Sequence, residues 1–451
     1  MKYHLIHLGC QMNQSDTERI RSVIESMGFE RTEHESEAGL IGIVACSVRQ
    51  KAIDKVYSKI HTWNKWKSTR SLVTFVSGCI LPTDREKFLK KFDLLFSIND
   101  LPQLPDMIRQ YGVATPASHH ANSAPSPAQH DAKTGYWRIA PSYSSEFEAY
   151  VPIQNGCDKF CTFCAVPYTR GREVSRPSSE ILAEVENLVE AGYKTITLLG
   201  QNVNSYGLDR QSDEISFAEL LRQVGEIGRR TGKRFWTYFT SPHPRDMTDE
   251  VLEVVAEYPC LAKQIHLPIQ SGDDKVLIRM NRNYRVQQYR SVVASIRKIL
   301  PTATLFTDII VGFAGENEEQ FENTVLVMRE FRYTMAYIAM YSPRPGAASA
   351  RWDDDVAVDE KKRRLHVLTE ELQSHALEHN ERTIGSRLPV LVDGTDRKPG
   401  FLSAKTEGRV TVRFRSDDHS LIGSFAELEI TGCAPLSLEG RLVRVASAAA
   451  G

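Results

Sequence analysis

The sequence predicts an α/β protein in three parts: an N-terminal Rossmann-like parallel α/β domain, a central partial (β/α)6 barrel and a small C-terminal β-barrel. Three observations carry this. Short apolar runs alternate with stretches of helical period over residues 1–113 and again over 136–377, as parallel strands with crossover helices require. Between them Thr115 to Lys133 reads TPASHHANSAPSPAQHDAK, rich in Pro, Ser, Ala and His and without period; this reads as a flexible linker over 114–135. Over 378–448 short β-like stretches alternate with turns instead.

In the first part, strands are expected at Tyr3–Leu8, Leu40–Ala45, Leu72–Val76 and Phe92–Phe96. Helices are expected at Asn13–Met27, Val48–Trp63 and Asp84–Lys91. Ile20, Val23, Ile24 and Met27 fall at helical spacing, with Gly28 as the stop. Cys10 follows the first strand, Cys46 ends the second and Cys79 follows the third. In a parallel sheet those ends share one edge, the edge where open α/β folds bind ligands. The repeated placement points to a second site; three unrelated buried cysteines are the alternative.

In the second part, strands are expected at Ala149–Ile153, Thr195–Leu199, Phe235–Thr240, Gln264–Leu267, Leu305–Val311 and Met335–Tyr341. One intervening helix carries Ile181, Leu182, Val185, Leu188 and Val189 on one face, with Ser178 or Ser179 as cap and Gly192 as stop. Just after the first strand stand Cys157, Cys161 and Cys164, spaced C-x3-C-x2-C. Three close thiolates suit a soft metal. A structural zinc needs a fourth ligand, yet no His lies between Tyr136 and Trp236 and the next Cys is Cys260. An iron–sulfur cluster with one iron left open fits better. Barrel chemistry gathers at C-terminal strand ends. Gln201 and Asn202, Gln270, and Asp308 stand at or near such ends and could cradle a ribose, an amino acid and an adenine; turn chemistry is the plainer reading. His243, between prolines, reads as a structural loop residue.

In the third part, β-stretches are expected at Leu388–Val392, Gly408–Phe414, Ala426–Ile430 and Arg441–Val445. A helix with Leu365, Leu368 and Leu372 on one face, opening on a solvated run Lys361 to Arg364, joins it to the barrel. Small barrels of this kind often bind RNA. Cys260 and Cys433 read as structural.

Composition narrows the setting. The chain has 451 residues, eight cysteines and a net charge of −1. That length predicts two to four domains. No run of about 18 apolar residues exists, so no membrane span is expected. MKYHLIHLGCQMN lacks a secretion-signal pattern. A reducing cytoplasm is expected, where cysteines serve as ligands more often than disulfides. The near-zero charge excludes a chain-wide nucleic-acid footprint. Candidate local patches are Arg170, Arg172 and Arg176; Arg279, Arg282 and Arg285; and Arg409, Arg413 and Arg415. Each can equally be a solvated face.

C-x3-C-x2-C with Phe163 before the last Cys resembles the radical S-adenosylmethionine (radical SAM) signature. The longer run CDKFCTFCAVPYTRGREVSRP, Cys157 to Pro177, resembles the tRNA methylthiotransferases acting on isopentenyl-adenosine. GCQMNQSD, ACSVRQKA, Gly78-Cys79, LLGQNVNSYG, TSPHPRDM, HLPIQSGDDKVLIRMNR, DIIVGFAGE and YSPRPG resemble the same family, and the last part resembles its TRAM domain. Val44-Ala45 stands where the family usually has Asn-Thr, and Ala314 where it has Pro. GCQMN and YTRGREVSRP favour the isopentenyl-adenosine branch over those acting on threonylcarbamoyl-adenosine or a ribosomal-protein aspartate.

The resemblance implies two [4Fe–4S] clusters. Cys157, Cys161 and Cys164 would hold the one that binds S-adenosylmethionine and yields a 5′-deoxyadenosyl radical. Cys10, Cys46 and Cys79 would hold an auxiliary cluster supplying sulfur. Phe163, Gln201, Asn202, Gln270 and Asp308 are the candidate S-adenosylmethionine contacts, and no catalytic residue beyond the cluster ligands is expected. The product would be a 2-methylthio-adenosine beside the anticodon of tRNA. Implied partners are the tRNA anticodon stem-loop, a flavodoxin- or ferredoxin-type electron donor and a sulfur or cluster carrier, with the enzyme a monomer. The reading of another class is a zinc-stabilised RNA-binding protein without catalysis.

Overall fold

The computed structural model describes residues 1–46, 50–111, 135–210 and 213–445. All of the expected linker but Gly135, with His119 and His120, lies outside them, as does the start of the second expected helix, which is described over Gln50–Trp66.

The first domain is a five-stranded parallel sheet in the order Glu30–Arg31, Lys2–His7, Leu40–Cys46, Val73–Cys79, Leu94–Leu95. The middle strand is buried along its whole length, because helices cover both faces of the sheet. Leu40 and Val44 pack with Ile20 and Ile24 of the helix Gln11–Ser26. Ile41, Ile43 and Ala45 pack with Ile53, Val56, Ile60 and Trp63 on the other side. Glu30–Arg31 was not expected as a strand; two exposed residues carry no period. Tyr136 and Trp137, expected to open the barrel, are instead buried in this first core beside Leu104 and Ile108. The chain thus returns to the first domain before entering the second.

The second domain is a partial barrel of two parallel half-sheets. One is ordered Trp236–Phe239, Thr195–Leu199, Glu148–Pro152; the other Gln264–His266, Thr304–Val311, Met335–Met340. A bridge from Thr237 to Leu261 joins them. Neither Ser178 nor Ser179 caps the helix Ser178–Glu190; Pro177 holds that position, and the Ser178 N–H donates to Glu214 Oε2 at 3.0 Å. Gly192 follows the helix end at φ +90°, as expected of a stop.

The solvated run expected at Lys361 to Arg364 is not one. In the helix Val358–Glu381 both Lys361 and Arg364 are buried. Lys361 pairs with Asp354, and Arg364 Nη1 donates to Glu316 Oε2 at 2.8 Å.

The third domain is a closed barrel in the order Arg387–Thr395, Phe401–Thr406, Thr411–Arg415, Ser437–Val445, Phe425–Ala434. Phe401–Thr406 is one strand more than expected. Its buried positions are Leu402, Ala404 and Thr406, a set with little apolar signal. This barrel docks beneath the central one, where Leu391 and Phe425 pack on Trp236, Tyr238 and Ala262. Cys260 is buried and its Sγ lies 3.9 Å from Gly225 O, and Cys433 is half-buried against the small core.

Candidate active site

Cys157, Cys161 and Cys164 lie in the loop leaving the first barrel strand, and all are free. The loop begins at Gly156, φ +80°. A Cβ there would strike the carbonyl of Arg172, so only glycine fits. From across the barrel, Asn281 Nδ2 donates to Phe160 O at 2.9 Å and Lys159 O at 3.3 Å. Thr162 donates to Met280 O through its N–H (3.0 Å) and to Arg279 O through its hydroxyl (2.8 Å). Arg282, buried, directs Nη1 to Cys161 Sγ at 3.4 Å, with Nη2 on Pro268 O.

Burial, with the neighbouring sulfurs, pushes the Cys157 thiol up to about 11 and Cys164 to about 12. As thiolates they need a cation beside Arg282, and a bound metal would supply it. Thiolates of an iron–sulfur cluster bind separate irons.

Four acceptor atoms beside this loop are buried without a partner: Gln154 Oε1, Glu173 Oε2, Gln201 Oε1 and Asn202 Oδ1. Ser205 ties two of these residues together, receiving Gln154 Nε2 at 3.2 Å and donating to Glu173 Oε1 at 2.6 Å. Burial raises Glu173 from 4.5 to about 7. Unfilled acceptors suit a ligand rich in ammonium and hydroxyl donors, as S-adenosylmethionine is.

A cavity of about 680 Å³ opens inside the barrel, lined among others by Cys10, Gln201, Ser241, Tyr238, Asp308 and Arg409. Gln201 and Asp308 therefore meet in one chamber, whereas Asn202 is not on its wall and donates to Asp246 Oδ2 at 3.3 Å. Gln270 is buried at φ +70° and bridges to Ile309; it faces a neighbouring cavity with Asp308. Phe163 stands apart, edge-on to Phe313 at 6.5 Å. Ala314 is buried beside Phe313, Val276 and Met280. His243 is buried and held well below its usual pKa by desolvation and then by Arg282. Its Nδ1 accepts from the Arg245 N–H, a capping role that fits the structural reading.

The first domain brings its own three cysteines together. Cys46 and Cys79 end neighbouring strands and are direct register partners, and Cys10 sits at the N-cap of Gln11–Ser26. Asn13 is fully buried at their centre. Its Nδ2 donates to Ala45 O at 2.8 Å, and its Oδ1 lies 3.8 Å from Cys10 Sγ and 3.5 Å from Cys79 Sγ. Val44 and Ala45 present only apolar side chains here, both fully buried.

Arg170, six residues past Cys164, spans the domains. Its Nε donates to Cys79 Sγ at 3.0 Å and its Nη2 to Asp16 Oδ2 at 2.6 Å and Asn13 Oδ1 at 3.3 Å. Its Nη1 returns to Asn155 Oδ1 at 3.2 Å. The contact with Cys46, with burial, raises the Cys79 thiol; Arg170 opposes that rise.

The expected basic patches dissolve in part. Arg170, Arg176 and Arg282 are buried, Arg176 against Glu180 and Glu184. Arg279 donates to Gly315 O. Arg172 is exposed but held by Asp158 at 2.7 Å, and Arg413 by Glu439 at 2.9 Å. Sequence reasoning missed Gln154, Glu173, Asn13 and Asp16 at the two sites. For Asn13, Asp16 and Glu173 only the motif text around them, GCQMNQSD and GREVSRP, offered a signal, and Gln154 had none.

A model of the radical SAM superfamily matches residues 151–328. One for an uncharacterized protein family, UPF0004, matches 2–97, and one for the TRAM domain matches 381–443. The fold resembles that of TsrM from Kitasatospora setae, titled a radical S-adenosylmethionine methyltransferase with cobalamin and a [4Fe–4S] cluster bound. The TM-score is 0.54 at 13% identity, over 89% of this chain and 80% of that one. The cysteine loop on a partial barrel and these matches define a radical SAM enzyme, a class that uses a [4Fe–4S] cluster and S-adenosylmethionine.

Proteins named tRNA-2-methylthio-N(6)-dimethylallyladenosine synthase narrow this. The one from Yersinia enterocolitica is 36% identical over 451 residues, 98% of this chain and 92% of that protein. The one from Geobacter metallireducens is 38% identical over 437 residues, 96% of each. The chain belongs to that family of transferases.

Proposed function

We infer that this enzyme adds a methylthio group to carbon 2 of N6-isopentenyl-adenosine (dimethylallyladenosine) beside the anticodon of tRNA. The observation that carries the reading is the chamber inside the barrel with Cys10 on its wall and, two residues past Cys164, Val166 beside it. In this reading one cysteine set serves radical formation and the other reaches the chamber through Cys10.

In this reading Cys157, Cys161 and Cys164 hold the [4Fe–4S] cluster and Cys10, Cys46 and Cys79 hold a second. Together with S-adenosylmethionine these groups supply reductive radical chemistry and sulfur for an aromatic C–H that acid–base catalysis cannot break. The chain supplies position and charge. Arg282 and Arg170 direct guanidinium N–H groups at Cys161 and Cys79, stabilising thiolate character. Glu173, Gln154, Gln201 and Asn202 offer acceptors to the ammonium and ribose hydroxyls of S-adenosylmethionine. Asp308 borders the substrate side. Tyr238, Phe306 and Tyr337 line the chamber, excluding water and offering aromatic faces to a flipped-out adenine.

The third domain contributes tRNA binding. A flavodoxin- or ferredoxin-type donor and a sulfur or cluster carrier complete the cycle. No described helix is long and apolar enough to cross a membrane. Free cysteines and a tRNA substrate fit a reducing cytoplasm.

Mass spectrometry of tRNA nucleosides tests this, in a strain lacking the protein and after its return. The 2-methylthio derivative of isopentenyl-adenosine should vanish and reappear, with isopentenyl-adenosine accumulating between. An unchanged level of that nucleoside refutes the substrate assignment.

A further inference from the structure

The tight turn Glu407-Gly408-Arg409 of the third domain reaches the starts of the central barrel's strands. Tyr238 OH donates to Glu407 O at 3.0 Å, the Lys263 N–H to Glu407 Oε1 at 3.0 Å, and Thr304 Oγ1 to Gly408 O at 2.9 Å. Gly408 passes so close that a Cβ would lie 2.5 Å from Thr304 Cγ2. Arg409, in the left-handed region at φ +60°, extends inward. Its Nη2 donates to Thr197 Oγ1 at 2.9 Å, and its guanidinium stacks 4.0 Å above the Tyr238 ring. Thr197 and Tyr238 are mid-strand residues facing one another in register.

Two cavities meet there. The 680 Å³ chamber lies above, and a second of about 350 Å³ lies below, between the two barrels. Arg409, Tyr238, Phe306 and Tyr337 line both and so form the wall between them. An eight-stranded barrel fills its own floor with side chains; a six-stranded open one leaves a hole.

We propose that Arg409 is the floor of the reaction chamber: a positioning and sealing residue delivered by the RNA-binding-type domain, and not an RNA contact. The inference rests on reading the chamber as the place of reaction. Removing the side chain joins the two cavities and admits water from below, where a carbon-centred radical must be protected.

The test uses full-length, cluster-reconstituted protein with isopentenylated tRNA, comparing wild type, Arg409→Ala, Arg409→Lys and Arg415→Ala. Three quantities are read: 5′-deoxyadenosine formed per methylthio product, tRNA affinity against salt, and amide hydrogen exchange of the apoprotein over Trp236–Phe239. Arg409→Ala should raise the 5′-deoxyadenosine ratio several-fold and speed exchange, with tRNA affinity within about twofold of wild type and its salt slope unchanged. Arg409→Lys keeps the charge but not the planar stacking and should behave like Arg409→Ala. Exposed Arg415, replaced by Ala, should weaken tRNA binding alone. An unchanged ratio and unchanged exchange in Arg409→Ala overturn the proposal, as does full rescue by lysine. If wild type makes no methylthio product, the functional reading fails instead, and exchange in the apoprotein still decides the seal.

Discussion

The two cysteine triads are built by opposite means. Cys157, Cys161 and Cys164 lie within one short loop, and distant residues hold that loop's shape: Asn281, Thr162's partners Met280 and Arg279, and Arg282. Cys10, Cys46 and Cys79 come from three crossover units, and the sheet register itself brings them together. The first is specified by spacing and trimmed by tertiary contacts. The second exists only where the domain is folded. Arg170 connects them, anchored beside one and hydrogen-bonded to a sulfur of the other.

Substitutions break the comparison in graded ways. On the proposed two-cluster reading, Cys161→Ala should abolish methylthio transfer and halve the iron of anaerobically reconstituted protein, from about eight to about four atoms per chain; metal and sulfide analysis reads this. Asp16→Ala leaves Arg170 buried without its carboxylate, which costs about 3–5 kcal/mol. Denaturant unfolding should show that loss. Because Asp16 lies beside the dispersed triad, on the proposed two-cluster reading the spectrum of a cluster held there should change and that of the loop cluster should not.

Glu173→Gln sharpens the contiguous side. Burial raises Glu173 above its unfolded value, so the folded apoprotein binds a proton the unfolded chain releases. Stability is therefore lost as pH rises from 4.5 to about 7. The variant lacks that loss: the two proteins should melt alike near the acid end, and the glutamine form should melt higher above neutrality. Asn281→Ala, the smallest change, removes two loop hydrogen bonds and puts a non-glycine without a local partner at φ +56°. It should cost about 1–2 kcal/mol and slow cluster assembly on the loop, leaving the dispersed triad intact.

The same contrast explains what the sequence could disclose. The C-x3-C-x2-C spacing is local, and Cys10, Cys46 and Cys79 each follow a readable strand, so both triads were visible. Arg170 and Arg282 read as surface charge because nothing in their neighbourhood announces a buried carboxylate or sulfur partner; Asp16 lies in another domain. Lys361 and Arg364 misled for the same reason, their partners Asp354 and Glu316 coming from other turns of the fold. Phe401–Thr406 was overlooked because Leu402 is the one large apolar residue among its inward positions, with Ala404 and Thr406 beside it, and Glu173 because burial of a carboxylate is a tertiary fact.

The placement of Tyr136 and Trp137 in the first core bears on how the protein is made. That core is completed by residues synthesised after the connecting segment, and Glu18 is tied to Ser142 and Ser144 later still. On the ribosome the nascent first domain must wait, with Leu104 and Ile108 uncovered, until that stretch emerges. A fragment ending at 113 would carry the same exposed surface and aggregate, whereas one extended past Ser144 would have what it needs to close.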